Sequence, residues 1–536
     1  MVKCLIIVFV LVNIVAGQSL FFSTVPANKQ FYPRGNSEMP DSAEIKINGE
    51  ISNNTFDTMS VIVKKNGQFF KRRTWSLNKI TNSLFHLSVN VHAELAEYRF
   101  EIYGDTTLLV TRDSIVCGDV YVVNGQSNAL CRAASSYKSE WIRTFGTSSG
   151  ISQYCISDTT WDYAQAATQE THASVGVWPL RLARNIVEKD SIPVFVINGA
   201  VGGTTIKDHM RNQSAPQSTG TIYGRLLYRL QKAGLKNCVK AFYWHQGENN
   251  SDSTALIYAD KYDTLYKNWK VDYPGISKFY LCQIHHGCGF DYQSYLRDVQ
   301  RRMADKYSDL SVMSTIGLPG HDGCHYNETG YNQLGDNLYR LAAKDFYGSK
   351  DTVGITAPAI KEVKYRNSNK SEIGLVFDQP VLWPADLAGQ SLKNYIYLDG
   401  VAGQIDSGRV FGNEVVLYLK NSSNAAKLTY LPNANYTNGS VYQGPYLLNS
   451  RGVAALTFDG VTISQFTNTE NSVTAKLNIA KTFIPVALYS ISGRRVAELD
   501  KNMSLQDINK LNIPAGVYYL KYRTDKSYQV RCLVKL

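Results

Sequence analysis

The stretch Val120–Cys131, VYVVNGQSNALC, decides how the middle of this chain is read. Four apolar residues run straight into a polar knot, Asn124-Gly125-Gln126-Ser127-Asn128, before apolar character resumes. A serine between two amides at the end of a buried strand has two readings. It is either a strand-to-helix turn with Ser127 or Asn128 as N-cap, or a nucleophile whose site the amides shape. The neighbouring segments separate the two.

From Gly118 to about Gly348 the apolar runs VYVV, IPVFVI, CVKAFYW, KFYLCQI and LSVMSTI alternate with helical patterns such as WPLRLARNIVEK and TGYNQLGDNLYRLAAKDF. Strands apolar on both faces and separated by helices predict a parallel sheet covered on both sides. Five strand–helix units predict a flavodoxin-like α/β/α sandwich with a five-stranded parallel sheet. In such sheets function gathers outside the carboxyl ends of the strands. VYVV leads into the Ser127 knot, IPVFVI into NGAVGGTTI, CVKAFYW into HQGENNSD, KFYLCQI into HHGCG and LSVMSTI into GLPGHDGCHYN. Seven of the nine histidines lie between His172 and His325. This pooling favours one active site.

The chemistry assigns roles. A serine hydroxyl needs a base within hydrogen-bond reach. In DGCH one tight loop presents imidazole and carboxylate together, so His325 takes the Ser127 proton and Asp322 steadies the ring. The oxyanion formed on attack needs fixed donors: the Ser127 amide, a backbone amide of the Gly202-Gly203 turn, and the side chain of Gln246. Asn128 and Glu248 are candidates for support or substrate binding. His321 is an alternative base, and Glu248 lacks the partner carboxylate a glycosidase would need. VGGT lacks the spacing of a phosphate loop. Zinc at His285, His286 and Cys288 is a weaker reading than disulfide or plain loop; no metal or cofactor is expected.

GDVYVVNGQSN, GAVGGTTI, WHQGENNSD, YLRDVQ and DGCHYNETGYNQLGDNL together resemble the sialate O-acetylesterase family, a branch of the SGNH hydrolases that also includes acetyl xylan esterases. The resemblance covers roughly Gly118 to Tyr347. It implies the flavodoxin-like SGNH fold and a cofactor-free serine esterase acting on O-acetylated glycans. By motif it places the nucleophile at Ser127, the Asp and His at Asp322 and His325, and oxyanion donors at Gly203 (Gly202 second) and Gln246. Two departures stand out: Asn249 follows Glu248 where the family often has Ser or Ala, and Cys324 interrupts the Asp–His loop.

Outward from this core, 536 residues predict roughly three to four domains. Residues 1–17 read as a signal peptide: Lys3, then CLIIVFVLV, too short to span a membrane, then small residues up to Gly17. No later apolar run reaches spanning length, so no integral membrane segment is expected after signal removal. Residues 18–117 alternate apolar and polar around Asn-Gly and Gly-Asp turns, as a β-sandwich does. The central domain takes 118–350, a second β-sandwich 351–465, and a compact β-unit 470–536. The last resembles the C-terminal sorting domain of type IX secretion, on VALYSISGRRV, AGVYYLKY and LVKL. That implies export across an outer membrane and secretion machinery as a partner.

The formal charge of +11 comes from scattered Lys and Arg with no long basic run, which argues against nucleic acid and modestly favours anionic glycans. Eight cysteines follow Cys4, and Cys282 and Cys288 are close enough to pair. The leading expectation is a secreted serine esterase removing O-acetyl groups, with sialate slightly ahead of xylan. Its rivals are a lipase or arylesterase of the same fold and a catalytically dead glycan-binding protein.

Overall fold

The strand that ends at the Ser127 knot is 19 residues long, Thr107–Gly125. Its first half pairs antiparallel with Tyr98–Gly104. Its second half pairs parallel with Val194–Asn198 on one side and Val239–His245 on the other. One strand therefore serves both the N-terminal β-domain and the central sheet, and the expected boundary at 117/118 falls inside it. At the crossing the backbone passes Pro193 so closely that a Cβ on Gly118 would lie 1.8 Å from its carbonyl oxygen.

The structure is a computed structural model that describes residues 10–535 apart from 16–17, 36–39, 79–81, 148–149, 170, 290, 388, 434–440, 467–483, 491–493, 501–510, 512, 514–515 and 524–527. Lys3, Cys4 and Gly17 of the expected leader, and parts of the C-terminal motifs, lie outside the described residues. The chain divides into two compact units, Met1–Gln465 and Phe466–Leu536.

In the first unit the central sheet runs Trp161–Tyr163, Ile142–Phe145, Val194–Asn198, Thr107–Gly125, Val239–His245, Lys278–Gln283, Leu310–Ser314. The five expected strands are neighbours, but the sheet is wider and mixed, which corrects the five-stranded reading. Ile142–Phe145 adds a sixth parallel strand, Trp161–Tyr163 an antiparallel edge, and the N-terminal strands join through Thr107–Gly125. The extra pair is hard to read because IRTF carries an arginine. Arg143 is fully buried, with its guanidinium 4.4 Å from the Tyr163 ring and bonds to Glu97 Oε1 and the Ser114 carbonyl, both 3.1 Å.

The helices Val177–Asp190, Ile222–Lys232, Tyr258–Asp272, Gln293–Lys306 and Glu328–Phe346 bury one face each. Trp178, Leu226, Trp269, Leu296 and Leu338 enter the same core as Val122 and Phe242 of the sheet. Thr221 and Asn327 cap two of them, their side-chain oxygens accepting from the amides of Gly224 and Gly330.

The N-terminal domain places Gln18–Thr24, Ser42–Ser52 and Asn82–His92 over a second sheet, with a shared apolar core. Val10–Val15, inside the apolar run of the expected leader, pairs antiparallel with Gln18–Thr24. Asn66 and Gly67, at φ 48° and 78°, make the hairpin turn that Asn-Gly predicts. This domain is tied to the central one through Asp119, only 2 % exposed. Its carboxylate accepts two 2.9 Å bonds from Arg34, one of 2.6 Å from Lys240 and one of 2.8 Å from Tyr347.

Beyond the central helices, Ile360–Tyr365, Glu372–Phe377, Glu414–Leu419 and Ile405–Phe411 form one sheet, and Ile396–Leu398, Lys427–Tyr430 and Phe458–Thr462 another. In the second unit Arg495–Glu498, Ile484–Ser490, Gly516–Arg523 and Tyr528–Lys535 form an antiparallel sheet. No helix among the described residues is long and apolar enough to cross a membrane.

Candidate active site

Ser127 opens a four-residue helix, Ser127–Leu130, and Gln126 before it supplies no side-chain cap. The Ser127 amide is consequently free of backbone and side-chain partners among the described residues. The two flanking amides both reach the loop of residues 247–249, and Asn128 also reaches the Cys324 loop. Gln126 Oε1 accepts from the amides of Gly247 and Asn249, both at 3.3 Å. Asn128 Nδ2 donates to Glu248 Oε1 at 2.7 Å and to the Cys324 carbonyl at 2.9 Å, while its Oδ1 accepts from Tyr331.

The chain end of the site comes back through the loop after Leu310–Ser314. His325 Nε2 lies 2.9 Å from Ser127 Oγ. Asp322 Oδ1 accepts from the amides of Cys324 at 2.8 Å and His325 at 2.7 Å. Among the described residues no side-chain bond joins Asp322 to His325 Nδ1, so Asp322 positions the ring through the backbone of its own turn. Burial pushes the Asp322 carboxyl up, but the His325 and Cys324 amides outweigh it and hold the group below its usual range.

Cys324, the departure inside this loop, forms a disulfide with Cys288. This overturns the expected Cys282–Cys288 pair. Cys282 faces the core from the strand Lys278–Gln283, buried and reduced, while the Cys288 loop lies beside the Asp322 loop. The disulfide thus joins the ends of two adjacent strands.

The remaining histidines are structural neighbours. His321 stacks on His285 at 3.6 Å between ring centroids, and His285 stacks on His286 at 4.5 Å. Burial pushes His321 down to about 4, and its Nδ1 accepts from the Gly323 amide at 3.2 Å. It is therefore turned into this stack and does not serve Ser127 as the alternative base. His245 is fully buried, and burial pushes it down to about 3. Among the described residues no group of three or more His, Cys, Asp or Glu is arranged to hold a metal.

Glu248 is buried beside Asn128, with Oε1 3.7 Å from His245 Nε2 and Oε2 without a hydrogen-bond partner among the described residues; burial pushes its pKa up. Gln246, the expected third oxyanion donor, lies in a network of buried amides. Its side chain is fully buried, and Nε2 already donates to Gln126 Oε1 at 3.2 Å, the Thr204 carbonyl at 3.1 Å and Asn250 Oδ1 at 2.7 Å. The exposed Gly202-Gly203 turn does lie by the serine: a Cβ on Gly202 would be 3.9 Å from Ser127 Cβ. Gly203 has φ +69°, which suits glycine. Asn249, read from sequence only as a departure, donates from Nδ2 to the Gly203 carbonyl at 2.8 Å. Asn250 was also missed; nothing in an isolated amide announces which loop it will bind.

No curated protein matches this chain in sequence. Among solved structures, a carbohydrate acetylesterase from Xanthomonas citri shares the fold, at 17 % identity and TM-score 0.56, over 81 % of this chain and 97 % of that one. A protein from Arabidopsis thaliana matches at 21 % identity and TM-score 0.35, over 43 % of this chain and 99 % of its own. A family two carbohydrate esterase from Clostridium thermocellum matches at 13 % identity and TM-score 0.28, over 57 % and 93 %. Residues 117–344, the segment that carries the whole site, match the family described as carbohydrate esterase, sialic acid-specific acetylesterase.

Proposed function

We propose that the protein is an exported serine esterase that removes O-acetyl groups from glycans, sialosides first among them. The observation that carries this reading is the 2.9 Å approach of His325 Nε2 to Ser127 Oγ at the uncapped start of a helix. Ser127 Oγ attacks the acetyl carbonyl carbon as its proton passes to His325 Nε2. The oxyanion is met by the amides of Ser127 and Gly203. Collapse breaks the bond to the sugar oxygen, which takes the proton from His325 and leaves acetyl-serine. Water, deprotonated by His325, then attacks the acetyl carbon; acetate departs and the proton returns to Ser127. Asp322 keeps the His325 turn in shape and adds a negative charge that favours imidazolium.

The test is acetate release by purified protein from an aryl acetate, a 9-O-acetylated sialoside and acetylated xylan. Ser127→Ala is expected to abolish release from all three with an unchanged melting temperature. Wild-type turnover in that variant would overturn the reading. A preference for xylan would keep the esterase and remove the sialoside.

A further inference from the structure

The loop that delivers Asp322 and His325 has a second exposed face. On it a cavity of about 510 Å³ opens between residues 317–321 of the central domain and residues 443–448 of the second β-sandwich, with Pro384 closing one side. This is the size range of small-molecule sites. Its two walls do not shift independently. Gln283 exchanges bonds of 3.0 and 2.9 Å with the backbone of Thr457, and Ser294 donates at 2.7 Å to Asn433 Oδ1. Tyr446 is backed by Tyr442 and by the edge of His286, at ring-centroid distances of 5.3 and 6.0 Å. Gly317, Gly320 and Gly444 are among the residues that line it.

The chemistry of the lining selects an occupant. Pro319, Pro384, Pro445 and Tyr446 line it with apolar rings, and the exposed Gln443 adds a polar amide. Among the described residues that line it there is no Lys, Arg, Asp or Glu. Apolar rings with a polar amide suit a pyranose, apolar on its ring faces and hydroxylated around its edge; an anionic group would find no counter-charge. Position matters as well. The cavity follows the edge strand Leu310–Ser314, whereas Ser127 follows Thr107–Gly125, three strands away in the sheet order. The same loop returns at His325 to within 2.9 Å of Ser127 Oγ, so one short segment joins the cavity wall to the serine.

We propose that this groove is a glycan subsite that holds neutral sugar units of the same chain whose acetyl group is presented to Ser127. The proposal rests on the esterase reading above, and it makes the protein an enzyme of oligosaccharides or longer glycans in preference to acetylated monosaccharides. Gln443 and Pro384 become specificity residues that take no part in bond breaking.

Two measurements test it. The first needs no catalysis: calorimetric titration of the full chain with unacetylated xylo-, manno- and cello-tetraose. Binding of at least one, insensitive to added salt, is expected, and Gln443→Trp, which fills the groove from its rim, is expected to weaken it. No binding of any, or equal binding by the variant, overturns the subsite whether or not the esterase reading stands. The second compares acetate release from an acetylated form of the tetrasaccharide that binds with release from p-nitrophenyl acetate. Gln443→Trp and Pro384→Ala are expected to lower kcat/KM for the tetrasaccharide about tenfold, a loss of roughly 1.4 kcal/mol, through KM. The aryl ester should be hydrolysed as by wild type. Unchanged tetrasaccharide kinetics, or equal loss on both substrates, overturns the proposal.

Discussion

A carboxylate that binds only backbone amides can be neutralised without dismantling the turn it holds. In Asp322→Asn the side-chain carbonyl oxygen can still accept from Cys324 and His325, so the loop should keep its form while the charge beside the imidazole disappears. Turnover of an aryl acetate is expected to fall by more than tenfold, but by less than the ~10⁴ of triads whose carboxylate bonds the imidazole directly; a fall of tenfold or less would show that Asp322 acts as scaffold alone. Asn128→Ala removes the donor that joins Glu248 to the Cys324 carbonyl, and with it the register between Ser127 and His325. A misplacement of about 1 Å costs on the order of 10²-fold in rate, so kcat should fall by about that factor with KM little changed. At this scale the pair Ser127 and His325, which the fold brings to 2.9 Å, was legible, because a hydroxyl and an imidazole at strand ends have few equivalents in chemistry. The amides were not: Gln246, Asn249 and Asn250 are near-equivalent donors in sequence. Only burial reveals that Gln246 is enclosed by Gln126, Thr204 and Asn250, while Asn249 reaches the Gly203 turn.

Between elements, two ties are open to measurement. The Cys288–Cys324 disulfide closes 36 residues of separation, for which chain-entropy arguments give about 3–4 kcal/mol. Cys288→Ser should lower the denaturation midpoint and also loosen the His325 loop, so activity and stability should fall together; full activity with lowered stability would separate them. Asp119→Ala should cost about 3–5 kcal/mol, because Arg34 and Lys240 would be left facing a buried site without a counter-charge. Strand and helix order was legible because period and length are local properties. The widening of the sheet was not, since Ile142–Phe145 carries a buried arginine satisfied by Glu97 and Ser114 from elsewhere in the chain. Likewise Cys282 and Cys288 are close in sequence, yet strand direction separates them and brings Cys324 near.

For the molecule as a whole, acid should be the damaging direction. His209 and His245 are pushed by burial to about 3, His321 to about 4, and His285 and His286 well below the ordinary value. Unfolded imidazoles protonate near pH 6.5. Below that pH the unfolded chain binds protons that the folded chain refuses, so stability falls as pH drops, each histidine adding a slope of up to about 1.4 kcal/mol per pH unit. Carboxylates held low by partners, Asp119 among them, lose their contribution only at more acid pH, because their folded pKa values lie below the usual range. A thermal midpoint clearly lower at pH 5 than at pH 7 is therefore expected, with a shallower slope in His321→Gln. A flat profile would mean the imidazoles become solvated before global unfolding.

The 19-residue strand Thr107–Gly125 has a consequence for inheritance. A unit that recombination can copy elsewhere must have ends that tolerate cutting, and the boundary of residues 117–344 cuts this strand in mid-course. Expressed alone, that segment would begin with the strand that leads to Ser127 stripped of its N-terminal half, and with Asp119 stripped of Arg34. It should collect in the insoluble fraction, whereas residues 18–465 should be soluble and active. In this chain the central domain and its leading β-domain then form a single folding object, since they share one strand.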